Sequence, residues 1–339
     1  MPDPLRIVFF GTPDYAVPAL RALAGDARFR AELVVTQPDR PAGRGRKLTA
    51  PPVKLAAQSL GLPVHQPGSL RTEEARAPLA RINADIFFVA AYGLIFGPKT
   101  LGIPRLGCVN LHASLLPAYR GASPISAAIL HGDAVTGVTL MRMETGLDTG
   151  PMIATSTISI EPGDTTASLT EKLADIGASL AIDAIPKFAN GELTPMLQPA
   201  SGVSLVRPLL KSDGRLDWNR PAGELERLVR AMWPSPRAWF AIGANAIQVH
   251  AASVEMNTPG EPGTVDLRDG KIVVAASGGS LRLDLLQFPG GKPMTGHQAA
   301  LSGRFVEGLR LASPQPAAHA VPMIRPVEPH SGERESTTN

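Results

Sequence analysis

The segment CVNLHASLLPAYRG, residues 108–121, holds the residue types in this chain best suited to chemistry. Side chains two apart on a β-strand project from one face, so Asn110 and His112 would stand side by side. The stretch that follows, Ala113-Ser114-Leu115-Leu116-Pro117, leaves the strand and places the pair near its carboxyl end. An amide donor beside an imidazole can hold a carbonyl oxygen while negative charge develops on it, a role worth about 2.7–4 kcal/mol per donor. A carboxylate close by would orient the imidazole or favour its protonated form. Asp148, in METGLDTG (143–150) just after the apolar run VTLMRM, is the best-placed acid, because a neighbouring strand end would bring it close. Each residue also has a plain reading. Asn and His on a strand are usually ordinary polar residues, and Asp-Thr-Gly is usually a turn. The weight lies on all three together, and on the residues alone both readings stay open.

Those strand ends need a sheet to carry them. Over residues 1–190 short apolar runs alternate with helical patterns. LRIVFF (5–10), AELVVTQ (31–37), DIFFVAA (85–91), CVNLHA (108–113) and VTLMRM (138–143) read as strands. Helices are predicted around 52–60, 71–82 and 165–189, the last with Leu169, Leu173, Ile176, Leu180, Ile185 and Phe188 on one stripe. This alternation predicts an open, Rossmann-like, mostly parallel sheet with helices on both faces, whose ligands bind beyond the carboxyl ends of the strands. Residues 191–207 are rich in Pro, Gly and Ser without a period, and are expected to be a surface linker. Beyond them come a helix at 221–232 and several short strands, with hairpin signals at Asp269-Gly270 and Gly278-Gly279. A small OB-like β-barrel over 208–313 is expected. From 314 to 339 Pro, Ala, His, Glu and Ser dominate, the composition of a disordered tail.

Composition narrows the function classes. Hydrophobic residues make up 44% of the 339-residue chain, too many for low-complexity disorder. No run approaches the roughly 18 apolar residues of a membrane span, and the apolar stretch at the amino end is too short for a signal peptide. A cytoplasmic protein with no membrane partner is expected. The single cysteine, Cys108, excludes a disulfide framework and a cysteine-rich zinc site. His65, His131, His250 and His297 lack partners at metal-ligand spacing, so no metal is expected. No G-x-G-x-x-G follows a strand, and GRGRK (43–47) lacks the spacing of a phosphate loop, which disfavours a dehydrogenase. A net charge of +3 permits a nucleic-acid partner without requiring one.

NLHASLLPAYRG followed some thirty residues later by GLDTG resembles the signature of the folate-dependent formyltransferases. RIVFFGTPDYAVPAL, VTQPDRPAGRGRKL, PVKLAAQSLGLPV, VAAYGLI and LLKSDGRLDW extend the likeness over roughly 5–310, and resemble the branch of that family whose acceptor is initiator methionyl-tRNA. The resemblance implies formyl transfer from 10-formyltetrahydrofolate, a cosubstrate, to the α-amino group of the esterified methionine. It makes Asn110, His112 and Asp148 the catalytic trio: Asn110 and His112 steady the oxyanion, while Asp148 holds His112 and assists the proton. It also maps folate contacts onto Ser114, Leu115, Leu116 and Pro117, with Tyr92, Gly93, Leu94 and Ile95 after another strand end lining the same pocket. For these residues a strand exit and core packing are the competing readings.

The stretch TQPDRPAGRGRK (36–47) carries Arg40, Arg44, Arg46 and Lys47 against one acid, Asp39. By default it is a solvated basic loop. By the resemblance it enters the tRNA acceptor stem, with Arg44 at the most telling position. Residues 207–314 hold thirteen Lys and Arg against ten Asp and Glu, a balance that permits tRNA binding by the second domain. There the chain departs from the family: Trp233-Pro234-Ser235-Pro236 stands where Asn-Pro-Trp-Pro is usual. Trp218 and Trp239 are expected in the barrel core. The expected division is 1–190 catalytic domain, 191–207 linker, 208–313 tRNA-binding barrel and 314–339 tail, acting as a monomer. The rival readings are a glycinamide ribonucleotide formyltransferase, a sugar-nucleotide formyltransferase, a formyl-folate hydrolase and a non-catalytic RNA-binding protein.

Overall fold

The structure is a computed structural model that describes residues 3–42, 45, 47–255, 260–314 and 323–327. Strand β1 (Leu5–Gly11), helix α1 (Val17–Gly25) and strand β2 (Phe29–Val35) open the chain. A short hairpin of β3 (Arg40–Ala42) and β4 (Lys47–Thr49) leads to α2 (Pro52–Ser59), β5 (Val64–His65) and α3 (Glu73–Arg81). Then come β6 (Ile86–Ala90), the single turn α4 (Pro98–Leu101), β7 (Cys108–His112), β8 (Arg120–Gly121) and α5 (Pro124–His131). Strands β9 (Val135–Arg142) and β10 (Met152–Ser159) and the long α6 (Thr166–Ala189) complete this half.

Seven of these strands form one sheet in the order β10-β9-β7-β6-β1-β2-β5. β1 pairs in parallel with β2 and β6, and β6 with β7. The alternation within β1 explains the layers. Ile7 and Phe9 pack with Leu20 and Leu23 of α1 and Leu169 and Leu173 of α6, whereas Val8 and Phe10 face Leu79 of α3 and Phe96. All four β1 side chains are fully buried, as a strand covered on both faces requires. The chain runs from β1 outward to β2 and β5, then returns to β6 and β7 on the other side. The strand order therefore reverses between the parallel neighbours β1 and β6, where such folds open a ligand crevice.

β9 is the exception to the parallel pattern. It runs antiparallel to β7, with His112 opposite Thr139 and Val109 opposite Arg142. Its carboxyl end thus lies beside the amino end of β7, and the loop 144–150 has to return along the sheet to reach the site.

In the second half β11 (Ser204–Val206) and α7 (Ala222–Ala231) precede β12 (Ala238–Ile242), β13 (Asn245–Glu255), β14 (Val265–Arg268), β15 (Lys271–Ala276), β16 (Gly279–Gln287), β17 (Pro293–Thr295), α8 (Gly296–Leu301) and β18 (Ile324–Pro326). An antiparallel sheet runs β12-β13-β16-β15-β14 with β17 beside β16. Trp218, Leu225, Phe240 and Leu283 fill its core, Trp218 with no exposed surface. Trp239 is only half-buried; its indole N–H donates to the Lys211 carbonyl and Arg215 lies over its ring. Asp269 and Gly270 close the β14–β15 hairpin with positive φ of 52° and 70°, the form that Asp-Gly favours. At the next hairpin the turn is Ser277-Gly278, with Ala276 opposite Gly279, one residue earlier than the Gly-Gly pair suggested.

Two expectations change. The supposed linker contributes β11, which pairs in parallel with β8, and its Val206 is buried against Tyr119, Ala127 and Ala128. Inside the supposed tail, residues 324–326 form β18, antiparallel to β11. The reason is common to both. β8 presents an edge of backbone N–H and C=O groups that need partners, β11 fills it, and the free edge of β11 is filled in turn by β18. The rest of the tail apart from residues 314, 323 and 327 lies outside the described residues.

Candidate active site

β7 places Asn110 and His112 on one face, the first half-buried and the second buried. The His112 Nε2 lies 2.9 Å from the carbonyl oxygen of Tyr119. A carbonyl only accepts, so Nε2 carries the proton and donates it. Nδ1 then faces Asp148, 3.6 Å from Oδ2. That separation is beyond a hydrogen bond and leaves the pair to tighten around a ligand. The same Oδ2 accepts the Gly121 N–H at 2.8 Å. Asp148 has a left-handed backbone, φ 51°. Asn110, His112 and Asp148 all line one cavity of about 1000 Å³. The three residues are thus brought together, but by a returning loop rather than by adjacent carboxyl ends.

The loop after β6 forms the wall of this cavity next to the β1–β6 crevice, with Tyr92, Gly93, Leu94 and Ile95 all on it. The Tyr92 ring packs edge-on against Phe10 and Phe96. Its carbonyl accepts from the Thr12 hydroxyl at 3.0 Å and the Gln37 amide at 2.8 Å, which ties the loop to the ends of β1 and β2. Gly93 is at φ +87°, and a Cβ there would meet the Gln37 amide nitrogen. Ile95 is exposed at the rim. Ser114, Leu115, Leu116 and Pro117 are not part of the lining. They build a closed turn instead. The Ser114 hydroxyl donates to the Ala118 carbonyl at 2.6 Å, while Thr139 Oγ1 donates to the Ser114 carbonyl and accepts the Leu116 N–H. The product of that turn is the Tyr119 carbonyl, aimed at His112.

Arg40 and Lys47 lie exposed on the β3–β4 hairpin; Arg44 and Arg46 lie outside the described residues. Asp39 does not neutralise them. Its carboxylate is taken by Gln66 and by Lys54 at 2.7 Å, which hold it below the usual carboxylate range. The hairpin follows β2, three strands from β7. At a strand spacing of about 4.8 Å, β2 itself lies about 14 Å from β7 across the sheet. No group of three His, Cys, Asp or Glu side chains arranged to hold a metal occurs among the described residues. No described helix is long and apolar enough to cross a membrane.

Sequence reasoning missed several parts: the Tyr119 carbonyl, the Gly121 amide, and Val206, Arg207 and Pro208, which complete the cavity from the second half. Gly121 is at φ +112°, and a Cβ would collide with the Val206 carbonyl. A lone glycine in AYRG carries no sign of that.

Two family models match the chain: formyl transferase over residues 5–185, and formyl transferase, C-terminal domain, over 208–303. The chain belongs to the formyl transferase family. Among curated relatives, the methionyl-tRNA formyltransferase of Ectopseudomonas mendocina (strain ymp) is 48% identical over 87% of this chain and 93% of its own. That of Marinobacter nauticus (strain ATCC 700491 / DSM 11845 / VT8) is 46% identical over 85% and 93%. A solved N-formyltransferase from Helicobacter canadensis, in complex with folinic acid and dTDP-3-aminofucose, shares the fold. Its TM-score is 0.63 at 18% identity, over 82% of this chain and 98% of that one.

Proposed function

We propose that the protein transfers the formyl group of 10-formyltetrahydrofolate to the α-amino group of methionine on initiator tRNA, giving N-formylmethionyl-tRNA. The observation that carries the reading is the amide, imidazole and carboxylate of Asn110, His112 and Asp148 around one cavity. The amine nitrogen bonds to the formyl carbon as the carbonyl electron pair moves onto oxygen. Asn110 donates to that oxygen, with His112 beside it. Collapse restores the carbonyl and breaks the bond to the folate nitrogen, which takes up the proton that the attacking amine gives up. A free α-amino group has a pKa of about 7.7–8, so much of the nucleophile is neutral without a strong base. Positioning and charge stabilisation therefore dominate. Because Tyr119 commits the Nε2 proton, Nδ1 is the nitrogen that exchanges protons, with Asp148 next to it.

The loop Tyr92–Ile95 is the folate wall in this reading, and Ser114–Pro117 act through the turn that aims Tyr119. Arg40 and Lys47, with Arg44 and Arg46, receive the acceptor stem. The hairpin leaves the sheet three strands from β7, so it lies to one side of the trio, where the unpaired end of the acceptor stem would approach. Residues 1–190 form the catalytic domain, 208–313 form the tRNA-binding domain, and the protein acts as a cytoplasmic monomer.

The test offers 10-formyltetrahydrofolate with either initiator methionyl-tRNA or a dTDP-amino sugar. Formylation of the tRNA alone is expected. Formylation of the sugar, or tRNA binding without turnover, overturns the reading. Arg44→Ala should raise the KM for tRNA and lower the salt slope by about one.

A further inference from the structure

Gln198 lies in the Pro- and Ser-rich stretch before β11, 50 residues from Asp148. Its amide nitrogen donates to the Asp148 carbonyl at 2.7 Å and to the Gly150 carbonyl at 2.8 Å. Its amide oxygen accepts from Arg120 Nε at 3.1 Å and from a terminal guanidinium nitrogen at 2.8 Å. Both N–H groups and both lone pairs of one side chain are thus engaged. Arg120 sits between Tyr119, whose carbonyl holds His112, and Gly121, whose amide holds Asp148.

We propose that Arg120 and Gln198 form a clamp that positions the Asp148 carboxylate against His112, on the reading that this trio performs formyl transfer. Asp148 needs such support because a non-glycine residue at φ 51° persists only where its surroundings hold it. The turn around it is also tight. A Cβ at Gly146 would collide with the Thr149 side chain, and one at Gly150 with the Arg142 carbonyl. The clamp bonds the carbonyls on both sides of Thr149, so it fixes the direction in which the turn leaves Asp148. Through Arg120 it ties this turn to the backbone that carries the other two contacts of the trio. Only glutamine fits. Glutamate would keep Arg120 but present oxygen to two carbonyls, and asparagine is one methylene too short to reach them and Arg120 together. Burial lowers the Arg120 pKa and the nearby Asp148 charge opposes this, consistent with a guanidinium held inside the wall. Gln198 and Arg120 are positioning residues: among the described atoms the reacting group would meet Asn110, His112 and Asp148, not these two.

The experiment compares wild type, Gln198→Glu and Arg120→Lys by steady-state formylation and by amide exchange. A misplacement of about 1 Å at a reacting group costs about 10²-fold in rate. Gln198→Glu should therefore lower kcat by about 10- to 100-fold, with KM for both substrates within threefold. Exchange should rise over 144–150 and remain unchanged in the sheet core. Arg120→Lys keeps the charge and serves if the Gln198→Glu variant fails to fold; it should give a smaller loss of the same kind. Wild-type kcat in Gln198→Glu, or unchanged exchange over 144–150, overturns the clamp. A wild-type protein that formylates neither acceptor refutes the proposed function instead, and exchange still decides whether Gln198 holds the turn.

Discussion

Asp148→Asn separates the charge of the site from its shape. Asn is isosteric, and its amide oxygen takes the place of Oδ2, because the Gly121 N–H at that position is a donor and requires an acceptor. The turn and its clamp are therefore retained. What disappears is a full negative charge 3.6 Å from His112 Nδ1. At an effective dielectric constant of about 20, a charge pair at that distance is worth about 4.6 kcal/mol. The two side chains are 6% and 16% exposed, so some solvent screening remains and about 3–4 kcal/mol is the working figure. If that interaction forms only as His112 carries a proton in the transition state, kcat falls by roughly 10² to 10³. Stability changes by about 1 kcal/mol, the difference between a charge-assisted and a neutral hydrogen bond. Single-turnover formylation at saturating folate and methionyl-tRNA, run beside thermal unfolding, measures both. A kcat within threefold of wild type at unchanged Tm would refute the electrostatic role of Asp148. A large fall in Tm would instead mark it as a structural residue.

Burial first and then Arg237 lower the pKa of His250, whose ring packs at a tilt against Trp233. The unfolded chain then binds the proton more readily, so stability is full above about pH 6.5 and is lost as pH falls towards the folded pKa. His250→Asn should flatten that acid limb in Tm against pH, and an unchanged slope would count against burial of a neutral ring. Burial pushes the Cys108 thiol up to about 12, with Arg142 opposing. A thiol reagent at pH 8 should find no reactive group in the native protein and one after denaturation. Deleting residues 315–339 removes β18 and bares the edge of β11. Amide exchange should then rise at Tyr119–Gly121 and Ser204–Val206, and protection identical to full length would mean that β18 braces nothing.

The parts of the site that sequence made readable are those that obey a local rule. Asn110 and His112 share a face because strands have period two, and Ile86 to Ala90 are apolar throughout, as a strand buried from end to end must be. Direction obeys no such rule. VTLMRM is as good a parallel strand as an antiparallel one, and only the pairing of His112 with Thr139 shows which it is. The same limit hides the supports. Gln198 and Ser204 lie in a stretch whose Pro, Gly and Ser content reports freedom in the unfolded chain, whereas their native state is set by partners 50 and 85 residues away. A strand end can display an amide and an imidazole, but its own backbone is spent on the sheet ladder, so the groups that fix the imidazole and the carboxylate come from the loop that leaves the strand, and that loop is in turn held by segments from elsewhere. The Tyr119 carbonyl, the Gly121 amide, and Arg120 between them show the consequence. Three consecutive residues, held by β11 on one side and Gln198 on the other, set the geometry of His112 and Asp148. A substitution in the apparently featureless segment 198–206 should therefore change turnover more than most conservative substitutions among the buried side chains of β1, where the surrounding core can absorb part of the loss.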